Sequence, residues 1–318
     1  MAEKFPLCLY GGTVEELREG DTIATEHTAP PSGATEGYAS GGYVSSSANI
    51  IDRFAFGSGA NAVDHGDLTE TRDQISGASS SSDGYVAGGI NRDSGSDSLV
   101  IDRFAFGSGA NAVSHGNLTV ARRGGAGAQS STEGYTSGGY DGSNHNIIDR
   151  FAFGSGANAV DHGDLTAARR SAAGCSSLSD GYIAGGIEVA NVNIVERYAF
   201  GAGANAVDHG DLTVAIRGCA GAQSATEGYV AGGIESSNSD VIARFAFGSG
   251  ANAVDHGDLT AARQSVSGAS SATDGYAAGG DDGSSANIID RFAFGSGANA
   301  VDHGDLTVAR RQAAGCQG

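Results

Sequence analysis

The chain has 318 residues, 53 of them glycine, with no Trp and a single Lys. Its formal charge of −19, from 37 acids against 18 Lys and Arg, opposes binding to nucleic acid or to an anionic membrane surface, because Lys and Arg supply the affinity in both cases. No run of about 18 apolar residues is present, so no membrane-spanning helix is expected.

Residues 1–32 stand outside the pattern that fills the rest of the chain. They contain no apolar stretch of signal-peptide length, which predicts synthesis and folding in a cytoplasm. Thr13 with Glu16 matches a capping box, and Gly20 can end a turn, so a short helix over 14–19 is predicted. Pro30-Pro31 reads as a stiff linker. Leu7, Leu9, Tyr10, Val14, Leu17 and Ile23 are apolar residues in need of a partner surface. They make this segment a candidate for docking onto a larger assembly, with a disordered tail or a plug as the alternative.

From residue 33 onward one string recurs six times, with its Arg at Arg53, Arg103, Arg150, Arg197, Arg244 and Arg291, spaced by 50 and then four times by 47 residues. A fixed period of this length marks a repeat architecture. In one copy, Ser171–Ser177 is a run of small residues (strand a), and Asp180–Ile187 ends in a double glycine (strand b). Asn193–Phe200 (strand c) alternates Arg197, Ala199 and Gly201 with Tyr198 and Phe200, which puts the aromatics on one face. Val207–Thr213 is strand d. Short strands separated by Gly, Asn and Asp turns read as an antiparallel meander. No proline occurs after Pro31, so every strand keeps its N–H groups for pairing.

The register begins at strand b, Glu36–Tyr43, and ends after strand a, Gln312–Gly318. That offset predicts an all-β, six-bladed propeller of four-stranded blades, closed by the C-terminal strand pairing into the N-terminal blade, with residues 33–318 as the ring. An open solenoid is the rival, but it needs polar capping repeats, and the sixth copy is as regular as the third. Small residues in strand a fit a crowded axis. At least one aromatic of each pair, such as Phe54/Phe56, is expected to pack between blades. Cys8, Cys175, Cys219 and Cys316 have no metal-ligand spacing, and Cys175 and Cys316 fall three blades apart, so free thiols are expected.

The double glycine after an aromatic in Tyr182–Gly186, the apolar strand Ile194–Phe200 and the Arg after strand d (Arg217) resemble a kelch-type propeller repeat, although the usual Trp is missing. The Phe-x-Phe, Asn-Ala, Gly-Asp-Leu-Thr and Gly-Tyr-x-x-Gly-Gly strings, with the leader Leu9–Ile23, are similar to kelch-like arrays of bacteriophage virion proteins. That resemblance implies a structural protein of the virion, in the tail, fibre or decoration. Other virion proteins would be partners through residues 1–32, and the propeller would be displayed to a host-surface receptor or glycan. An intracellular kelch-like scaffold and a polysaccharide-acting propeller enzyme are the alternatives.

Enzyme signals are weak: no nucleophile elbow, Asp-box or phosphate loop is present, and no cofactor or metal is predicted. The Asp-His-Gly-Asp strings around His65, His115, His162, His209, His256 and His303 are expected to make turn hydrogen bonds. The second copy reads Ser114-His-Gly-Asn117 and loses both acids. Two arginine rows, one at Arg53 and its copies and one at Arg72, Arg122, Arg169, Arg217, Arg263 and Arg310, are expected to pair with carboxylates between blades. The copies differ most in the loops between strands b and c. Binding is therefore assigned to Asn91, Arg92, Asp93, Asp141, Asn144, Glu188, Asn191, Glu235, Asn238, Asp281 and Asp282, all on one face, where Ser, Asn and Asp can hydrogen-bond a sugar.

Overall fold

The computed structural model describes Leu7–Tyr10, Thr13–Glu16 and residues 34–318 apart from residue 202. Among the described residues all regular structure is β. Six four-stranded antiparallel sheets form the ring, each with strand order a-b-c-d. In blade 1 these are Ala314–Gln317, Glu36–Ser40, Ile50–Ala55 and Val63–Asp67. In blade 2 they are Ser76–Ser79, Asp83–Ala87, Val100–Ala105 and Val113–Asn117. Blade 3 has Ala126–Gln129, Glu133–Ser137, Ile147–Ala152 and Val160–Asp164. Blade 4 has Ala173–Ser176, Asp180–Ala184, Ile194–Ala199 and Val207–Asp211. Blade 5 has Ala220–Gln223, Glu227–Ala231, Val241–Ala246 and Val254–Asp258. Blade 6 has Ser267–Ser270, Asp274–Ala278, Ile288–Ala293 and Val301–Asp305.

The ring closes as the register of the repeats predicts. Strand a of blade 1 comes from the far end of the chain and pairs Ala314 with Ser40, Gly315 with Ala39, Cys316 with Tyr38 and Gln317 with Gly37. Each a strand also touches the a strands of both neighbouring blades, the last touching the first, so these strands surround the axis. Crowding there dictates the small residues. A Cβ on Gly77, Gly127, Gly174, Gly221, Gly268 or Gly315 would overlap the backbone of the same glycine in the preceding blade. Only a residue without a Cβ permits that approach.

The junctions between blades form the core. Tyr38 in strand b of blade 1 stacks on Phe106 at 4.8 Å between ring centroids and lies tilted against Phe104 of blade 2. The junction that closes the ring repeats this geometry, Tyr276 stacking on Phe56 at 4.3 Å. Both members of each aromatic pair therefore meet the preceding blade, burying apolar area in offset and edge-on contacts. The histidines complete the same cluster, a correction to the turn role expected of them. His65 lies in strand d, edge-on to Tyr38 at 5.1 Å, and its Nε2–H donates to the carbonyl of Ala105 in the next blade at 3.1 Å. A carbonyl only accepts, so Nε2 carries the proton. All six copies make this bond at 2.9–3.1 Å. Burial holds the His115 and His162 imidazoles below their usual pKa.

The arginines also sort differently from the expectation. Arg53, Arg103, Arg150, Arg197 and Arg244 pair within their own blade, Arg53 with Glu36, and remain partly exposed. The second row does bridge blades: Arg72–Asp102, Arg122–Asp149, Arg169–Glu196, Arg263–Asp290 and Arg310–Asp52 are ion pairs at 2.7–3.0 Å whose side chains have no exposure. Each carboxylate also accepts from a Thr of the preceding blade, as Asp290 does from the Thr260 N–H and Oγ1. Arg217 is not in this row. Its register position is held by Ile216, 4% exposed, and the facing acid is replaced by Ala243, 5% exposed, so one junction of the ring is apolar where the other five are ionic. The insertion of a buried charge pair depends on both partners, and here both are lost together.

Cys175, Cys219 and Cys316 are buried free thiols, pushed up to about 12 by desolvation. The helix expected over 14–19 is not formed in its first three residues. Thr13–Glu16 is instead a strand paired antiparallel with Leu7–Tyr10, Tyr10 opposite Thr13. The Gly11-Gly12 pair in the sequence, between β-prone runs, is a two-residue hairpin signal that outweighs the capping box. Residues 17–19, with Leu17, and the Pro30-Pro31 linker lie outside the described residues.

Candidate binding face

Strand direction divides the ring into two faces. On the lower face lie the a–b turns and the c–d loops, whose sequence hardly varies because it fits the neighbouring blade. Asn111 Oδ1, in a c–d loop, accepts from the Asp67 N–H of the preceding blade at 3.1 Å, and the same contact recurs from Asn61 to Asp305 across the closure. On the upper face lie the b–c loops and the connections from strand d to the next strand a, which is where the copies differ.

Around the axis on the upper face, six residues one per blade form a closed ring of backbone hydrogen bonds. Gln74 donates to Gln312, Gly124 to Gln74, Ser171 to Gly124, Gly218 to Ser171, Ser265 to Gly218 and Gln312 to Ser265, at 2.6–3.0 Å. All six are left-handed, with φ between 55° and 66°. Gly124 and Gly218 adopt this readily, whereas Gln74, Ser171, Ser265 and Gln312 do so at a conformational cost that the ring of bonds offsets. The ring fixes the floor of a basin. Two cavities of about 300 and 270 Å³ share Gln264, Ser265 and Gln312 in their walls, and a narrower space of about 100 Å³ lies among the ring residues themselves.

A third arginine row lies one residue beyond the buried one: Arg123, Arg170, Arg217 and Arg311, with Asp73 and Gln264 in the other two blades; Arg170, Arg217, Gln264 and Arg311 line the basin. The sequence signal for it is the Arg-Arg doublet in three of the copies. Arg217 belongs to this row, one residue beyond the register position that Ile216 holds. Arg123 is bound to Asp97 at 2.7 Å, and Arg311 to Asp281. Arg92, in the long second loop, pairs with the buried Asp73 at 2.7 Å and reaches Gln312 Oε1 at 3.2 Å. Arg92 and Arg311 both lie over the Tyr43 ring, and Arg170 and Arg123 over the Tyr140 ring. Stacked guanidiniums are held flat and pre-oriented.

The loop residues assigned to binding divide between frame and surface. Asn144 and Asn191 each donate from Nδ2 to two carbonyls of the next blade's loop, and Asn238 Nδ2 donates to Asp281. These side chains tie the loops together. Asn91 caps its own turn by accepting from the Asp93 and Ser94 N–H groups, within a small two-stranded ribbon, Ile90–Asn91 with Ser96–Asp97, that the three extra residues make possible. Asp141 is paired with His145, which lowers the Asp141 pKa. Asp282 accepts from Ser284, Glu188 Oε1 is buried with no partner, and Asp93 and Glu235 are exposed. Only Arg92 and Asp281 of the assigned residues line the larger cavity. Among the described residues, no group of three or more His, Cys, Asp and Glu is placed to hold a metal ion.

No protein-family model matches the chain, and no curated protein sequence matches it.

Proposed function

We propose that the protein is a non-enzymatic display scaffold of the bacteriophage virion, in which residues 1–32 dock onto the particle and the upper face of the propeller meets a host-surface receptor or glycan. One observation carries the reading of a scaffold with a contact face: the recurrent histidines and the buried arginine–carboxylate pairs are engaged in holding the ring, while the loops that differ most between copies gather on one face. Six His rings and five buried Arg–carboxylate pairs are spent on the frame. A rigid frame with variable loops at one end is a common way to present a binding surface. The virion assignment rests on the sequence resemblance to kelch-like arrays of phage virion proteins.

The test is association with particles. The full chain should co-purify with assembled particles under mild conditions, and a variant lacking residues 1–32 should keep its β circular-dichroism spectrum yet fail to associate. Particles that lack the protein, or a truncated variant that still assembles, would refute the reading.

A further inference from the structure

The geometry points to an oxyanion site in the axial basin of the upper face, formed by Arg170 and Arg217 with Ser171, Ser265, Gln264 and Gln312, that takes a carboxylate or phosphate borne on a sugar-sized polar ligand. The inference shares with the proposed function the choice of the upper face as the contact surface, and it does not depend on the virion.

Charge makes the first argument. The walls of the two cavities hold four guanidiniums: Arg92 is paired with Asp73 behind the wall and Arg311 with Asp281, which leaves the charges of Arg170 and Arg217 uncompensated. This is a local reversal of sign in a chain of net charge −19. The excess is not spread evenly. In blade 2 the loop position that faces the arginine row is Asp97, and it neutralises Arg123. At the same position blades 3 and 4 have Asn144 and Asn191, whose Oδ1 atoms accept from Arg170 at 2.7 Å and Arg217 at 3.3 Å. An amide oxygen orients a guanidinium without cancelling its charge. Among the described residues, Arg170 and Arg217 make no ion pair, and both line the 270 Å³ cavity.

Hydrogen-bonding capacity makes the second argument. The hydroxyls of Ser171 and Ser265 and the amide of Gln264 make no hydrogen bond within the protein among the described residues, and all three line the same cavity. Their backbones are fixed by the axial ring, so Ser171 and Ser265 pay little to be held in place. A fork of guanidinium donors matches a carboxylate or a phosphate, and hydroxyl and amide neighbours match the hydroxyls of a sugar. The volume is at the lower end of small-molecule sites, about 300–1,000 Å³. A polar lining of this kind disfavours an apolar ligand.

The experiment is calorimetric titration of the full chain with D-glucuronate, D-glucose 6-phosphate and, as the neutral control, D-glucose. The two charged sugars separate a carboxylate from a phosphate source. At least one should bind about tenfold or more tighter than glucose, the equivalent of one charge-assisted contact. The R170Q/R217Q variant should lose that advantage, and so should N144D/N191D, which keeps both arginines and supplies each with the acid that Arg123 has. R103Q/R150Q, on the lower face, should retain it. Charged sugars that bind no tighter than glucose, or an advantage that survives in both R170Q/R217Q and N144D/N191D, would overturn the site. Particle association is read separately, so failure there leaves this result standing.

Discussion

The junction between blades 4 and 5 is a ready-made control for the other five, and it sets the sharpest prediction. Arg263 and Asp290 are fully buried and 2.8 Å apart. Replacing Arg263 by Ile leaves the Asp290 carboxylate with only the Thr260 N–H and Oγ1 as donors. It also removes the donors that reach the carbonyls of Gly279 and Ala277 at 2.8 and 3.0 Å. Breaking a buried pair from one side costs about 3–5 kcal/mol, because the remaining charge is uncompensated. For a chain of this size that lowers Tm by roughly 2 °C per kcal/mol, or about 8 °C in calorimetry. Adding Asp290→Ala recreates the Ile216/Ala243 arrangement. It should return the protein to within about 2 kcal/mol of the parent, since a buried ion pair is often replaceable by apolar residues at little cost. Asp290→Ala alone strands the buried Arg263 in the same way, so with singles of about 3–5 kcal/mol each and a double of no more than about 2, the cycle predicts a coupling energy of at least about 4 kcal/mol between the two positions. A single Arg263→Ile variant that loses less than about 1 kcal/mol, or a double variant whose loss is the sum of the two singles, would refute this account of the junction.

Other features of the ring give further expectations. Gly174→Ala places a methyl against the backbone of Gly127, so it should destabilise by about 2 kcal/mol or more in denaturant titration, far beyond an ordinary strand Gly→Ala change. Ser265→Gly, which copies Gly124 and Gly218 at a left-handed position, should instead stabilise by up to about 1 kcal/mol; a loss there would show that the ring imposes no strain. His115 and His162 bind a proton less readily in the folded protein than the ordinary value of 6.5, so unfolded chains take up protons first. Their contribution to stability is full above 6.5 and declines as pH falls through that value toward the lower native pKa. Asn at both positions should flatten that part of the pH–stability curve. In a Cys8→Ser background, Cys175, Cys219 and Cys316 should resist thiol reagents at neutral pH until denaturant opens the ring, and rapid labelling of the native protein would contradict their burial.

The sequence by itself determined the ring. Six near-identical copies, a register that starts at strand b and stops after strand a, and glycine in the middle of every a strand are local facts, and edge pairing leaves few ways to satisfy them. It also placed the variable loops on one face, because strand alternation alone sets which connections share an end. What only the tertiary structure decided is which side chains meet across a junction. His65 and its copies look like turn residues in the string, yet each reaches a carbonyl of the next blade, 37 or more residues away in sequence. Ile216 and Ala243 look like two unrelated lapses in the repeat until the fold brings their register positions together in one cluster. In the chain Arg170 is the second half of an Arg-Arg doublet and Arg217 an isolated arginine after Ile216. Their excess charge depends on finding Asn144 and Asn191 where Arg123 finds Asp97, a comparison that exists only in three dimensions. Periodicity encodes backbone and burial, whereas pairing between distant residues is set by how the blades pack.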